Sequence, residues 1–430
     1  MALLLKGGRV IDPKSDLDGI FDIVIRDGVI QEVGSDLSIP KGETCDCTGK
    51  VILPGLFDMH THLREPGYEY KEDIESGTRA AAKGGFTGIA CMPNTSPVAD
   101  DSSVIDFIKK KAAQSAHCRV YPIGAITKKL EGEDLTEMGD LLSAGAVAFS
   151  DDGRGVQNAG MMRQAMDYAK MFPATLIAHE EDESLVGTGC VNEGPISTKL
   201  GLPGQPGISE TVAAQRDIEL CGLTACRLHI AHVSSRHTVD AIREAKKRGI
   251  AVTAEVTPHH LLLTEDSLDT SYDTNLKMNP PLRSEDDKTA LIEGLLDGTI
   301  DCIASDHAPH APHEKEREFE RAAYGTTGLE TSLSLMLTHF VGQGIFGYDT
   351  LVEKMSDAPR RALGIDTVTI EKGSCADLTI IDPGHRFIVD TGMRESKARN
   401  SAFIGWELTG RACDVLVGGY FKMRDGEVVE

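Results

Sequence analysis

The sequence lacks a long hydrophobic run: none of its 430 residues belongs to a stretch of about 18 consecutive apolar residues. The amino-terminal residues MALLLKGGRVID also lack the extended apolar core of a secretion signal. Both absences argue against a membrane protein and against a secreted one. The expected location is the cytoplasm.

Regular cysteine spacing is also absent. The ten cysteines include no C-x-x-C pair, and only Cys45 and Cys47 lie close together in the sequence. Scattered cysteines in a long chain are typical of reduced, buried thiols in a cytosolic protein. Two thiols on one strand face could bind a metal, but a place in a small β domain is the preferred interpretation for this pair.

Positive charge is scarce. The chain has 44 Lys and Arg against 67 Asp and Glu, which gives a formal net charge of −23. Such a surface repels phosphate backbones and anionic lipids, so neither nucleic acid nor a membrane is an expected partner. A protein this negative can bind an anionic small molecule only where metal ions or buried arginines concentrate positive charge.

The hydrophobic pattern divides the chain into two kinds of segment. Residues 1–53 and 366–430 contain short β-type runs separated by Gly and Asp turns, which predicts one small composite β domain built from both ends. Residues 54–365 alternate about eight strand-like runs with helical stretches, the pattern of a TIM (β/α)8 barrel. A doubly wound open sheet is the alternative within the α/β class, weakened because no G-x-G-x-x-G or Walker-type loop follows the early strands.

Polar residues end several of the predicted barrel strands. In a TIM barrel the carboxyl ends of all strands meet at one rim, where catalytic residues lie. Residues i and i+2 of a strand point to the same side, imidazole nitrogens suit Zn²⁺, and a carboxylate can bridge two ions. The candidate ligands end the first, fourth, fifth, sixth and eighth strands: His60, His62, Asp151 or Asp152, His179, His232 and Asp306.

A single histidine at a strand end is more often structural than metal-binding. Ligand-type residues at five strand ends in the right order favour a metal site over coincidence. His259 and His260, which follow the seventh strand, stay ambiguous, and a structural role is the preferred interpretation for both.

At these residues the chain resembles the amidohydrolase superfamily and, within it, the class I dihydroorotases. Residues 54–62 (PGLFDMHTH) carry the superfamily opening, and residues 63–67 (LREPG) continue it in a way that is similar to the dihydroorotase signature H-x-H-L-R-x-P-G. Residues 91–95 (CMPNT) and 304–310 (ASDHAPH) match two further family motifs. The resemblance covers essentially the whole chain.

The resemblance implies a zinc site with one or two ions per chain, and two are favoured. The implied metal ligands are His60 and His62 on one ion, His179 and His232 on the other, Asp152 as the bridge, and Asp306. The implied substrate contacts are His62, Arg64, Asn94, Asn279 and His310, with Tyr324 and Gly325 closing over the substrate.

The implied activity is the reversible cyclisation of N-carbamoyl-L-aspartate to L-dihydroorotate in de novo pyrimidine (UMP) biosynthesis, through a metal-bridged hydroxide. In ring opening, Asp306 would take the hydroxide's proton and pass it to the departing ring nitrogen. Arg64 suits a forked contact with the substrate carboxylate. A structural salt bridge, for example to Asp58 or Glu65, is the alternative role for Arg64.

The fourth strand separates subfamilies. Hydantoinases, dihydropyrimidinases and many other dihydroorotases carry a carboxylated lysine there, whereas residues 147–153 (VAFSDDG) contain none and are similar to the Asp of class I dihydroorotases. An allantoinase or hydantoinase is therefore the nearest alternative. A non-catalytic partner of aspartate transcarbamoylase is a second alternative, disfavoured because the metal histidines are present. Homo-oligomer formation, and association of a catalytic chain with that transcarbamoylase, are left open.

A charged run, residues 312–318 (PHEKERE), follows the eighth strand. It is expected to be a solvated loop or the start of a helix. Whether part of it acts as a lid is left open.

Overall fold

The structure, a computed structural model, describes residues 2–392 and 395–429. Its strands are β1 (Ala2–Asp12), β2 (Leu17–Arg26), β3 (Val29–Gly34), β4 (Glu43–Asp46), β5 (Val51–Pro54), β6 (Leu56–Thr61), β7 (Phe86–Cys91), β8 (Arg119–Pro122), β9 (Phe149–Ser150), β10 (Thr175–Ala178), β11 (Val191–Asn192), β12 (Gly204–Gln205), β13 (Arg227–Ile230), β14 (Val252–Val256), β15 (Cys302–Ile303), β16 (Leu378–Ile388), β17 (Glu407–Val417), β18 (Tyr420–Arg424) and β19 (Glu427–Val428).

The α-helices are α1 (Ile74–Lys83), α2 (Ser102–Ser115), α3 (Met138–Ala144), α4 (Ala159–Ala169), α5 (Glu183–Val186), α6 (Pro195–Leu200), α7 (Ile208–Thr224), α8 (Arg236–Lys247), α9 (Pro258–Leu262), α10 (Glu285–Asp297), α11 (Pro312–Lys315), α12 (Ser332–Met336), α13 (Tyr348–Val352) and α14 (Ala358–Leu363). Two π-helical turns, Leu337–Val341 and Glu353–Asp357, continue α12 and α13.

The two ends of the described chain form one nine-stranded sheet. Its order is β19-β18-β17-β16-β5-β1-β2-β3, with β4 paired to β1. The junction is β5, which pairs parallel with β1 on one side and antiparallel with β16 on the other. Leu5, Ile23, Ile52 and Ile380 are fully buried in the sheet's own core. The composite β domain is therefore confirmed, while the domain boundaries after residues 53 and 365 stay predictions.

Eight parallel strands form the barrel: β6, β7, β8, β9, β10, β13, β14 and β15. Two parallel bridges close the ring, one between Thr61 and His307 and one between Gly124 and Phe149. A closed ring excludes the doubly wound open sheet, so the TIM-barrel prediction is confirmed.

The barrel strands are buried on both faces. Every residue of β6 and β7 is buried, in agreement with the largely apolar sequence of β7, whereas β6 also carries Asp58, His60 and Thr61. The surrounding helices are amphipathic: α8 buries Val239, Ile242 and Ala245 against the strands, on positions three residues apart. The polar residues that remain on buried strands are concentrated where the strands end.

The amino-terminal side of the barrel is filled by an aromatic and cationic stack. Phe57 is fully buried, and its ring lies 5.4 Å from the Tyr121 ring in an edge-on arrangement. The Arg360 guanidinium lies 5.0 Å from the Phe57 ring centre and donates to the Gly55 carbonyl at 2.9 Å. This packing leaves the opposite rim as the open end.

All ten cysteines are unpaired, and eight of them are buried. Among residues 2–392 and 395–429, we find no helix with the length and apolarity that a bilayer crossing requires.

Replacement of Phe57 with Ala is expected to lower the free energy of unfolding by about 3–5 kcal/mol, because it opens a cavity inside the barrel. Phe107→Ala is the matched control, since that side chain is 42% exposed on α2. The Phe107 variant should lower the free energy of unfolding by less than about 1 kcal/mol. Denaturant unfolding followed by circular dichroism measures both, and equal losses would contradict the packing role of Phe57.

Candidate metal centre and substrate cleft

The carboxyl ends of five barrel strands place acidic and imidazole side chains at one rim. All six are buried, and each belongs to a strand end or to the residues directly after it. They are His60 and His62 (β6), Asp152 (β9), His179 (β10), His232 (β13) and Asp306 (β15). The structure thus brings together every metal ligand proposed from the sequence.

The first group of donors consists of His60, His62 and Asp306. The Nε2 atoms of His60 and His62 lie 3.5 Å and 3.2 Å from Oδ1 of Asp306. Their donor atoms all lie within 4.8 Å of one another, which is close enough for a single ion to be held between them. This arrangement follows from the i, i+2 spacing of the two histidines on β6.

Asp152 is surrounded by the imidazoles. Its Oδ1 lies 3.4 Å from Nε2 of His60, 3.7 Å from Nδ1 of His179 and 3.7 Å from Nε2 of His232. Its Oδ2 lies 3.6 Å from Nε2 of His62. One carboxylate therefore faces both histidine pairs, the position that a bridging ligand requires.

Asp151 points elsewhere. Its Oδ1 accepts hydrogen bonds from the backbone N–H of Ile126 at 2.8 Å and of Thr127 at 3.0 Å, and the Thr127 hydroxyl donates to Oδ2. Asp151 is thus committed to the loop after the third barrel strand. Of the two adjacent aspartates, Asp152 is the one that faces the imidazoles.

Neighbouring side chains orient the ring nitrogens of the β6 histidines. Nδ1 of His60 lies 2.5 Å from Oε1 of Glu255, and Nδ1 of His62 lies 2.9 Å from Oδ1 of Asn94. An oxygen partner on Nδ1 holds the proton there, which leaves Nε2 free as a ligand atom. Sequence reasoning missed Glu255. Its signal is a single acid in the otherwise uncharged, buried strand β14 (VTAEV).

The donor set fits a divalent cation. Nε2 of His60 and Oδ1 of Asp152 are buried and have no hydrogen-bond partner among the described residues. Burying such polar atoms unpaired is costly, and a bound cation would satisfy both. Imidazole nitrogens mixed with carboxylate oxygens are ligands that suit zinc.

The carboxylates and imidazoles of the cluster shift each other's pKa values. Burial alone would raise the pKa of Asp152, but the positive field of His60 and the nearby imidazoles of His179 and His232, each 3.7 Å away, hold it well below its ordinary value. Burial would lower the pKa of His60, yet without a metal ion the carboxylates of Glu255, Asp152 and Asp306 raise it well above normal, and a bound cation would take the place of the second ring proton. The site therefore keeps its carboxylates ionised and attracts positive charge.

Three residues of the site have left-handed backbone conformations: Arg64 (φ 61°), His232 (φ 33°) and Asp306 (φ 46°). Such conformations cost of order 1 kcal/mol each for residues other than glycine and persist only where the surroundings enforce them. Next to Asp306, the buried His307 provides that support. Its Nδ1 accepts from the Gly328 N–H at 3.2 Å, and its Nε2 lies 3.3 Å from Glu72.

A cleft of about 260 Å³ opens over this cluster. Its lining includes every proposed substrate contact: His62, Arg64, Asn94, Asn279, His310, Tyr324 and Gly325. Asp152, His179, His232 and Asp306 also line it, whereas His60 is fully buried beside it.

Arg64 lies at the edge of this cleft. Its Nε donates to the Pro309 carbonyl at 3.2 Å, and one terminal nitrogen lies 3.4 Å from Nε2 of His310. The acids considered as its salt-bridge partners are engaged elsewhere. Asp58 accepts from the Ser305 N–H, and Glu65 accepts from the Ile74 N–H. The guanidinium is therefore placed to face a ligand in the cleft.

The histidines after the seventh strand are buried. Nδ1 of His260 lies 2.8 Å from the Thr257 hydroxyl and Nε2 lies 3.0 Å from the Pro280 carbonyl, so both ring nitrogens of His260 have partners. Burial lowers the pKa of His259 to about 4. His260 thus has the structural role that was preferred for it, and His259 is a neutral neighbour of the site.

The charged run after the eighth strand begins a short helix and is largely exposed, as expected, and only Lys315 departs from the expectation. Residues Pro312–Lys315 form α11, but Lys315 is buried, with 6% of its surface exposed. Its ammonium group donates to backbone carbonyls instead of meeting water. The charge of this run indicated solvent exposure. Lys315 is buried instead, because backbone carbonyls that the sequence does not reveal bind its ammonium group.

Comparisons with known proteins identify one family. A family model described as dihydro-orotase-like matches residues 49–238. The dihydroorotase of Geobacter metallireducens is 51% identical over 420 residues, covering 97% of this chain and 99% of the relative. The dihydroorotase of Acetivibrio thermocellus is 49% identical over 423 residues, covering 98% and 99%.

Solved structures share the whole fold. The L-hydantoinase (dihydropyrimidinase) of Arthrobacter aurescens superimposes with a TM-score of 0.89 at 28% identity and covers 100% of this chain and 97% of its own. The D-hydantoinase of a Thermus species gives 0.85 at 26% identity, covering 99% and 96%. With about half of all residues shared with full-length relatives of that name, the chain belongs to the dihydroorotase family.

Proposed function

We propose that the cleft catalyses the reversible cyclisation of N-carbamoyl-L-aspartate to L-dihydroorotate, as a metal-dependent cyclic amidohydrolase of pyrimidine biosynthesis. The observation that carries the proposal is the convergence of two histidine pairs on Asp152, beneath a cleft that Arg64 edges. Family membership supports the reaction, and this geometry supports the roles proposed for the residues below.

Two zinc ions are proposed to occupy the cluster. His60, His62 and Asp306 would hold one, His179 and His232 the other, and the Asp152 carboxylate would hold both. When bound, such ions polarise the scissile carbonyl and activate water at neutral pH. Glu255 and Asn94 would keep the β6 imidazoles in the tautomer that binds.

Asp306 is proposed as the general base. Burial would raise the pKa of its carboxyl, but the charges of His60, His62 and His232 lower it, so the side chain is ionised at neutral pH. In ring opening its carboxylate accepts a proton from the attacking water and delivers it to the departing ring nitrogen. In cyclisation the same carboxylate removes a proton from the carbamoyl nitrogen.

Arg64, with Asn94 and His310 close by, is proposed to hold the substrate carboxylate. The guanidinium presents parallel N–H groups that match a carboxylate, which suits recognition of an anion by a protein of net charge −23. Asn279 also lines the cleft, with Nδ2 3.3 Å from Nε2 of His179, and would add a second polar contact to the substrate.

We also propose a cytoplasmic location. Homo-oligomer formation and association with aspartate transcarbamoylase stay hypotheses, because the chain alone presents no partner.

Asp306→Ala should reduce turnover at least about 10³-fold in both directions, because proton transfer in either direction needs this carboxylate. Ring opening and closure are followed by absorbance at 230 nm with added Zn²⁺. Asp106→Ala, an exposed residue on α2, should keep wild-type rates. Substantial activity in the Asp306 variant would refute the general-base assignment.

Arg64→Lys should raise KM for carbamoyl-aspartate about tenfold or more, since a lysine cannot make the forked contact, while zinc content stays near that of the wild type. Steady-state kinetics and elemental analysis test this. The control Arg163→Lys changes an exposed arginine of α4 and should alter neither quantity. Equal losses of metal and of substrate binding would remove the substrate role of Arg64.

Removal of the metal by a chelator should abolish turnover and lower the melting temperature, because the buried donors then lose their common partner. Zn²⁺ should restore both, with a breakpoint at two equivalents per chain. Mg²⁺ should not, since it prefers all-oxygen sites. Hydantoin and allantoin serve as substrate controls, and preferential hydrolysis of either would contradict the proposed reaction.

A further inference from the structure

Two lysines beside the cleft are buried without a carboxylate at hydrogen-bond distance among the described residues. Lys277 is 1% exposed and Lys315 is 6% exposed. Nζ of Lys277 donates to the carbonyls of Glu320 and Ala322 at 2.9 and 2.8 Å. Nζ of Lys315 donates to the carbonyls of Ala323 and Gly325 at 2.8 and 3.0 Å. Both ammonium groups thus bind one short stretch of backbone.

Burying two amines side by side is energetically unfavourable. Burial lowers the pKa of both lysines, and the nearby charge of Lys277 lowers that of Lys315 further, to about 7. Two such groups persist together only where specific partners compensate for lost hydration. Here the partners are four carbonyl groups within six residues.

The backbone they bind, residues 320–325, is called the wall segment below. A 3₁₀ turn, Phe319–Arg321, overlaps its start, and the carbonyls of Glu320, Ala322, Ala323 and Gly325 accept from side chains. Nε2 of His310 donates to the Tyr324 carbonyl at 2.8 Å, and Asn400 donates to the Gly325 carbonyl at 3.1 Å. The Tyr324 hydroxyl donates to the Gly189 carbonyl at 3.1 Å. The backbone N–H groups of Ala323 and Gly325 also donate, to the Glu314 and Lys277 carbonyls at 3.0 and 2.8 Å, so backbone and side-chain hydrogen bonds together fix this segment.

The wall segment forms one side of the cleft through Tyr324 and Gly325. Nζ of Lys277 lies 4.2 Å from the centre of the Tyr324 ring, and Lys277 is two residues from the cleft residue Asn279. His310, which holds the Tyr324 carbonyl, lies within 3.4 Å of Arg64. Contacts thus run from the buried lysines through the wall segment to the residues proposed to hold the substrate carboxylate.

We propose that Lys277 and Lys315 are positioning residues that fix the wall segment before substrate arrives and thereby set the affinity for carbamoyl-aspartate and dihydroorotate. The inference rests on the proposed function of the cleft. Neither lysine touches the reacting atoms. Their contribution is a preformed wall, which spares the substrate the entropic cost of ordering it.

The test replaces each lysine with methionine, which keeps the length of the side chain and removes the donors. Lys277→Met and Lys315→Met should each raise KM for dihydroorotate about tenfold, with kcat changed less than about threefold and zinc content unchanged. Lys315→Arg, which restores a cationic donor, should recover most of the affinity.

Lys354→Met is the matched control. Lys354 is also buried and also donates to a backbone carbonyl, that of Ile300, but it lies outside the cleft lining. Lys354→Met should lower the free energy of unfolding about as much as the two cleft variants do, and it should leave KM for dihydroorotate unchanged. If the cleft lysine variants fold and bind zinc but keep the wild-type KM, or raise it no more than Lys354→Met does, the inference is wrong. A wild-type enzyme that fails to open dihydroorotate would instead refute the proposed function.

Hydrogen exchange of the unmodified protein provides a second measurement that does not depend on variants folding. Amides of the wall segment should already be protected in the zinc-loaded enzyme without substrate, and orotate should add little protection. Exchange at the rate of an unstructured peptide, slowed only by orotate, would show a segment that orders on binding and would overturn the proposal.

Discussion

The placement of one carboxylate among four imidazoles is the interaction on which the site depends. Asp152 lies within 3.7 Å of ring nitrogens from three different strands, and its charge is stabilised by them although the side chain is buried. Such an arrangement is stable only if the strands end at the same height. The closed barrel supplies this condition, because eight parallel strands bring their carboxyl ends to one rim.

Most of the fold and the candidate metal ligands could be predicted from periodicity in the sequence, whereas the substrate contacts Asn94, Asn279 and His310 were predicted only from the resemblance to class I dihydroorotases. Strand–helix alternation indicated the barrel, and polar residues at strand ends indicated His60, His62 and Asp306. What could not be predicted depends on contacts distant in sequence. Glu255 lies 195 residues from the His60 ring that it orients. Lys315 was expected to be solvated because it belongs to a charged run. Its carbonyl partners could not be predicted, since they belong to a segment without a periodic sequence pattern.

Fold and site carry different information about function. The whole chain superimposes on the L-hydantoinase of Arthrobacter aurescens. Yet the fourth barrel strand ends in Ser150, Asp151 and Asp152, without the lysine expected of hydantoinases at this position. Because a side chain at this position lies between both histidine pairs, a change there alters the centre without disturbing the scaffold. Similarity over the whole chain therefore indicates the barrel fold, whereas the residues at the strand ends determine which metal centre and which reaction the fold carries.

The composite sheet can be completed only late in synthesis. The edge of β5 at residues 51–54 is covered by β16, which the ribosome adds more than 300 residues later. Until then, the strands made first present an open, apolar edge to other nascent chains, a recognised route to aggregation. Pairing of β16 with β5 is therefore a late step of assembly, so a chain that stops before β16 would leave this edge exposed even where the barrel is complete.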